Sequence, residues 1–197
     1  MPENPVKLVL ATGNLHKLKE FQSYFSSIAQ IISPREVGID LSVEETGQTF
    51  QENAQLKSRE LFSLAGIPTI ADDSGLCVNA LGGRPGIFSA RYGGSQLSDK
   101  DRALLLLKEM EGRKDRKAWF ECAISFTNSA GTHVFNGKCE GEITLDYDET
   151  GGNFGYDPVF YYSPLGKRFS QLTAEEKNAV SHRGKAMHSF LTFLQNL

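Results

Sequence analysis

The chain reads as an α/β protein built on a mixed sheet, and three features of the sequence predict it. First, the β-branched apolar run VKLVLAT (6–12) halts at Thr12-Gly13-Asn14, and a helical pattern follows with Leu18, Phe21, Tyr24 and Phe25 on one face. Second, helical and strand-like segments alternate along most of the chain, the pattern of a sheet with crossover helices. Third, KAWFECAISFTN (117–128) and THVFNGKCEGEI (132–143) meet at Ser129-Ala130-Gly131 as a long antiparallel hairpin. Crossovers imply parallel strands and the hairpin adds antiparallel ones, so the sheet is mixed.

The remaining elements follow in order. TFQE (49–52) has capping-box spacing, Thr49 to Glu52, and opens a helix running to about Leu64. IPTIA (67–71) predicts a second strand and GGRPG (82–86) a turn. A helix is expected from Ser98 to about Glu111, ended by Gly112, with ALLLLK as part of its amphipathic face. Thr173-x-x-Glu176 begins another helix, and the segment from Gly184 onward reads as helical. No internal repeat, low-complexity tract or linker interrupts the chain, so residues 1–197 are expected to form a single domain.

Composition narrows the function. With 197 residues, 40% apolar and 23% charged, the chain can build a core and does not resemble a disordered one. A net charge of −3 argues against a general nucleic-acid or membrane-surface binder. The charge is uneven: residues 36–79 hold eight acids and two bases, residues 163–197 five bases and two acids. An acidic half facing a basic half suits a metal–polyphosphate ligand, and charge alone is equally consistent with two solvated faces. Cys77, Cys122 and Cys139 form no C-x-x-C pair and read as core thiols in a reducing compartment. There is no secretory leader pattern and no apolar run long enough for a bilayer, so the expected location is cytoplasmic.

Four segments carry candidate chemistry. Thr12-Gly13-Asn14-Leu15-His16-Lys17 places a glycine turn before a helix N-terminus, where backbone N–H groups and the helix dipole favour phosphate. Lys17 adds a charge one turn in, the spacing is not that of a P-loop, and Asn14 serves equally well as a helix N-cap. VEETGQTFQENAQLK (43–57) with ADDSG (71–75) offers Glu44 or Glu45 and one of Asp72 and Asp73 as oxygen ligands. Mg²⁺ takes one or two protein carboxylates and leaves its other positions to water and phosphate. Asn53 and Lys57 lie one turn apart on the same helix face, so Lys57 can reach a phosphate. FGYDPVF (154–160) forms a turn presenting a ring and a carboxylate, and Phe154 could stack on a base. EEKNAVSHRGKA (175–186) sets Lys177, His182 and Arg183 near a helix end.

Taken together, LATGNLHKLKEF, EETGQTFQENAQLK, IADDSGL, LGGRPGIFSARY, FGYDPVF and LTAEEKNAVSHRGKA resemble the inosine triphosphate pyrophosphatase family nearly end to end. The resemblance implies hydrolysis of non-standard purine nucleoside triphosphates (ITP, dITP, XTP) to monophosphate and pyrophosphate, cleansing the nucleotide pool. It implies a long mixed sheet flanked by helices in two lobes, a site in the cleft between them, and a homodimer. Carried over by position, Thr12, Gly13, Asn14, Leu15, His16 and Lys17 bind the substrate, mainly its phosphates. Glu44 and Asp73 become Mg²⁺ ligands, with Asp73 also the proton acceptor. Lys57 and Ser74 contact substrate, and Phe154, Gly155, Tyr156, Asp157, Lys177, His182 and Arg183 hold base and sugar. Two departures stand out: Asn153 precedes Phe154 where relatives often have glycine, and Ser170-Gln171 replaces a common Ala-Glu.

The mechanism implied is attack of water on the α-phosphorus, its proton going to Asp73 or to a hydroxide on the metal. Pyrophosphate leaves, cradled by the Thr12–Lys17 turn and Lys57. Hypoxanthine and xanthine carry a 6-oxo acceptor where adenine carries a 6-amino donor. Donors from His182 and Arg183 would therefore face adenine donor to donor, at about 1–3 kcal/mol per unpaired buried group. Asp157 is the residue to watch at the 2-position, where guanine must be rejected. Two rivals are weighed: an aspartyl-phosphate phosphatase, whose D-x-D-x-[TV] pattern DDSGL does not fit, and a nucleotide-binding regulator without turnover.

Overall fold

The computed structural model describes residues 6–196. In chain order the elements are β1 (Val6–Leu10), α1 (Leu15–Phe25), β2 (Ala29–Ile32), α2 (Phe50–Ala65), β3 (Thr69–Val78) and α3 (Asp99–Glu109). They continue with β4 (Lys117–Asn128), β5 (Gly131–Ile143), β6 (Phe160–Tyr162), β7 (Lys167–Arg168), α4 (Ala174–Val180) and α5 (His182–Leu194). Short 3₁₀ turns, among them Pro34–Val37 and Asp157–Val159, fill several connections.

The strands make one seven-stranded sheet in the order β2-β1-β3-β4-β5-β6-β7. β1 runs parallel to β2 and β3, while β6 is antiparallel to both β5 and β7, so the sheet is mixed. β4 and β5 are neighbours joined by two residues, a connection only an antiparallel pair permits. Register positions the chemistry: Val9 pairs with Thr69 and Leu10 with Ile70, and Ala11 N–H donates to Ile70 O at 2.7 Å. The Thr12–Asn14 turn therefore leaves the sheet alongside the residues that precede Asp72.

The chain divides into two compact units. The first comprises Met1–Asp73, Ala123–Asn136 and Ala186–Leu197. Its core packs Val9, Ala11, Ile32, Leu61 and Ala71, and the rings of Phe25, Phe126 and Phe135 each lie 5.3 Å from that of Phe190. Under α2 sits a buried hydroxyl network: Ser58 Oγ bonds Ser125 Oγ at 2.8 Å and Thr127 Oγ1 at 2.9 Å, and Thr69 donates to Ser58 O at 2.7 Å. Buried hydroxyls are tolerated only when paired, and these pairs lock the register of the helix that carries Asn53 and Lys57.

The second unit comprises Ser74–Cys122 and Gly137–Lys185. Leu76, Leu106, Met110, Phe120, Phe160 and Phe169 form its centre, with Phe120 and Phe169 rings stacked 5.7 Å apart.

The sequence reading differs from the structure at four places. β3 does not stop near Ala71 but runs on through Asp72 and Asp73 to Val78, buried at every position except Ser74. β2, β6 and β7 have no counterpart among the predicted elements; at four, three and two residues they are too short to show a period. α5 begins at His182, two residues before the expected Gly184. α3 stops at Glu109, with Met110 as its C-cap and Gly112 beyond. The other predicted elements stand where expected, β4 residue for residue.

Candidate active site

In the first unit, Asn14 is the N-cap of α1. Its Oδ1 accepts from His16 N–H at 2.9 Å and Lys17 N–H at 3.3 Å, and its own N–H donates to Thr12 Oγ1 at 3.0 Å. The capping role leaves room for an anion, because among the described residues the Asn14 side-chain nitrogen has no hydrogen-bond partner and nothing stands within 4 Å of where a Gly13 Cβ would be. Leu15 and His16 are exposed beside it. The turn opens on a cavity of about 430 Å³ that Leu41, Val43 and Lys57 also line.

The two aspartates each meet a lysine. Lys17 Nζ lies 2.9 Å from Asp72 Oδ2, whose side chain is 1% exposed. Lys57 Nζ donates to Glu45 Oε1 at 2.8 Å, to Asp72 O at 2.8 Å and to Asp73 Oδ1 at 3.2 Å. A buried strand can carry two successive carboxylates in its interior because each has an ammonium to compensate it. Asn53, fully buried, donates from Nδ2 to Asp73 Oδ2 at 3.3 Å and accepts Gly47 N–H at 2.8 Å. This ties the 44–47 loop to Asp73.

Three carboxylates here face two lysines. Burial, with Glu45 adding to it, pushes the Asp73 carboxyl above the usual range against the pull of Lys57 and Lys17. For Lys57, burial alone would lower the ammonium, but Asp73, Asp72 and Glu45 outweigh it and hold it above its ordinary value. Glu44 is exposed, and its backbone carbonyl accepts Thr46 N–H at 3.1 Å. Glu45, rather than Glu44, is the glutamate joined through Lys57 to Asp73.

In the second unit, Arg183 Nη2 donates to Ser74 Oγ at 3.0 Å, and His182 stacks on Phe120 at 4.7 Å with planes 11° apart. Lys177 ion-pairs with Asp157 and lies 5.3 Å from the centre of the Phe154 ring. Phe154, Asp157 and Lys177 are therefore one cluster, as are Ser74 and Arg183. Tyr156 supports the turn from the core: it is 5% exposed, and its hydroxyl donates to Ser89 O at 2.9 Å.

Asp99, Gly184 and Asp148 also build this half, through contacts that the sequence does not signal. Gly155 adopts φ +55 and donates its N–H to Asp99 Oδ2 at 2.9 Å, which fixes the turn to α3. Gly184 permits close contact of α5 with α4, since a Cβ there would lie 1.8 Å from Asn178 O. Asp148 accepts from Ser170 Oγ at 2.7 Å and Thr150 Oγ1 at 2.6 Å, bonds that hold its carboxyl down at about 2. Ser170 and Gln171, together the second departure from the family pattern, are both engaged: Ser170 O also accepts Gly152 N–H at 2.9 Å, and Gln171 Oε1 accepts Arg168 N–H at 3.0 Å. Among the described residues, no group of three or more His, Cys, Asp or Glu is arranged to hold a metal, and no helix is long and apolar enough to cross a membrane.

A helix-terminal anion turn backed by lysine-bound carboxylates, on an α/β sheet, is the equipment of a nucleotide-handling protein. More particularly, the chain belongs to the Ham1 family, whose model matches residues 8–193. It is 51% identical over 192 residues to the dITP/XTP pyrophosphatase of Leptospira biflexa, covering 96% of this chain and 97% of that one. It is 49% identical over 191 residues to the dITP/XTP pyrophosphatase of Leptospira interrogans, with the same coverage. The Staphylococcus aureus Ham1 protein superposes with a TM-score of 0.88 at 41% identity, over 96% of this chain and 98% of that one.

Proposed function

We infer that this chain hydrolyses non-standard purine nucleoside triphosphates, ITP, dITP and XTP, to the nucleoside monophosphate and pyrophosphate. Family membership and full-length relatives named for dITP and XTP support the reading. The observation that carries it is the pairing of Lys17 with Asp72 and Lys57 with Asp73 beside the Thr12–Asn14 turn. Phosphate handling and a proton acceptor are thereby held by adjoining strands of one unit.

We propose Mg²⁺ as cofactor, held by Asp73 and a glutamate of the Glu44–Glu45 pair. The donor set fits: Asp73 Oδ1, Glu45 Oε1 and Asp72 O already surround one cation, the Lys57 ammonium, with hard oxygens and excess negative charge. When bound, Mg²⁺ would offset charge developing on the phosphates. The chain's own residues do the rest. The Thr12–Lys17 turn grips the phosphates, Asp73 accepts the proton of the attacking water, and Lys57 with the turn receives pyrophosphate as it leaves. Asp73 suits this task because burial brings its basicity upward from that of an ordinary aspartate.

The base is held by Phe154, Asp157, Lys177, His182 and Arg183 in this reading, with Ser74 contacting substrate. Lys177 over the Phe154 ring and Arg183 on Ser74 support it, since both place donors beside surfaces a purine can use. The protein is proposed to act as a cytoplasmic homodimer, and light scattering at twice the chain mass would bear out the dimer. The deciding experiment is a release assay with ITP, dITP, XTP, GTP and ATP, with and without Mg²⁺. Pyrophosphate from the first three, slow turnover of the last two and dependence on Mg²⁺ are expected; equal rates on ATP and ITP, or stepwise orthophosphate, contradict the reading.

A further inference from the structure

We propose that Arg35 is a further substrate-binding residue, a cation that joins Lys57 and the Thr12–Lys17 turn in holding the pyrophosphate end of the nucleotide; this rests on the functional reading above. Arg35 lines the same cavity as Thr12, Gly13, Asn14 and Lys57, all within the first unit. The two lysines at this place are already compensated: Lys17 lies 2.9 Å from Asp72, and Lys57 lies 2.8 Å from Glu45 and 3.2 Å from Asp73. Among the described residues, the exposed Arg35 guanidinium has no hydrogen bond or ion pair, not even with Asp40, the acid on the same cavity wall. An incoming polyphosphate thus meets bound carboxylates behind each lysine and one uncompensated cation, Arg35.

Arg35 is also held in place. Glu36 Oε2 accepts from both the N–H and the hydroxyl of Ser33 at 2.7 Å, buried Pro34 opens the 3₁₀ turn, and Arg35 O accepts Gly38 N–H at 3.0 Å. The backbone under Arg35 is pinned while its side chain is not used by the fold. A planar guanidinium matches two phosphate oxygens at once, which an ammonium cannot do. Leu41 and Val43 on the same cavity reduce solvent competition for that contact.

The test measures binding of inorganic pyrophosphate to the full chain by isothermal titration calorimetry, for wild type, Arg35→Ala and Arg35→Lys. Arg35→Ala should weaken binding roughly ten-fold, the size of one partly exposed charge-assisted contact, and Arg35→Lys should recover only part of it. The KM for dITP should rise in parallel while kcat changes little, and the melting temperature should stay put because the side chain is free of the fold. Pyrophosphate binding by Arg35→Ala equal to wild type, or no binding by wild type, overturns the assignment. Failure of wild type to convert dITP to monophosphate and pyrophosphate would instead overturn the functional reading, and the two measurements separate the cases.

Discussion

Asn53 donates from Nδ2 to the Asp73 carboxylate at 3.3 Å, and with Oδ1 it accepts the Gly47 N–H at 2.8 Å. One fully buried amide therefore couples the acidic loop to the proposed proton acceptor. Asn53→Ala would leave the Gly47 N–H and an Asp73 oxygen without this partner, a loss of about 1–3 kcal/mol of stability. Chemical denaturation followed by circular dichroism should find it, together with a larger fall in kcat than rise in KM. An unchanged midpoint would show that the coupling contributes nothing.

The neighbouring aspartates should respond differently to the same change. Asp73→Asn is expected to reduce kcat by about 10²–10⁴-fold, the range of general-base catalysis. Its effect on stability follows from the raised carboxyl: a folded-state pKa above the unfolded value of 3.8 means stability is fullest below that value and declines as pH rises through the folded one. Ionising the buried Asp73 works against folding while its pairing with Lys57 works for it, so Asp73→Asn should change the melting temperature far less than it changes kcat. Asp72→Asn, which deprives Lys17 of its partner, should cost less activity, mainly through KM. Equal collapse at both positions would mean that both carboxylates enter the chemistry.

Gly184 sits where a side chain would collide with backbone rather than with a movable neighbour, 1.8 Å from Asn178 O. Gly184→Ala must push α5 away from α4, with overpacking of about 1–3 kcal/mol or more. Because His182 and Arg183 open the same helix, activity on dITP should fall with the melting temperature. A stable, active Gly184→Ala would refute the tight contact.

Asp148, in the second unit, gives a pH signature of its own. Its carboxyl is held at about 2, against 3.8 unfolded, first by the Thr150 and Ser170 hydroxyls. A depressed folded value contributes stability above pH 3.8 that is lost as pH falls towards 2. Asp148→Asn should therefore melt below wild type at neutral pH, with the gap narrowing through that acid window. A gap independent of pH would assign the loss to packing.

The legibility of the chain follows the length and locality of its signals. β4, twelve residues of apolar-rich pattern, and the capped helices α2 and α4 could be read directly, since period and cap lie within one segment. Asn14 as N-cap was legible for the same reason. β3 was cut short because charged residues usually end a strand, and only Lys17 and Lys57, distant in sequence, allow two aspartates inside one. Glu45 rather than Glu44 reaching Lys57 depends on the conformation of a loop without periodicity. Asp99 and Gly184 act through a partner far along the chain and through close backbone contact, and Asp148 joins its local partner Thr150 to the distant Ser170, for which residue type gives no local sign. Ser170 and Gln171 looked like departures, yet both serve as turn anchors.

If water attacks the α-phosphorus, the oxygen it brings must end in the monophosphate. Hydrolysis of dITP in ¹⁸O-enriched water, with products read by mass spectrometry, should place the label in the monophosphate and leave pyrophosphate unlabelled. Label in pyrophosphate or in orthophosphate would contradict it.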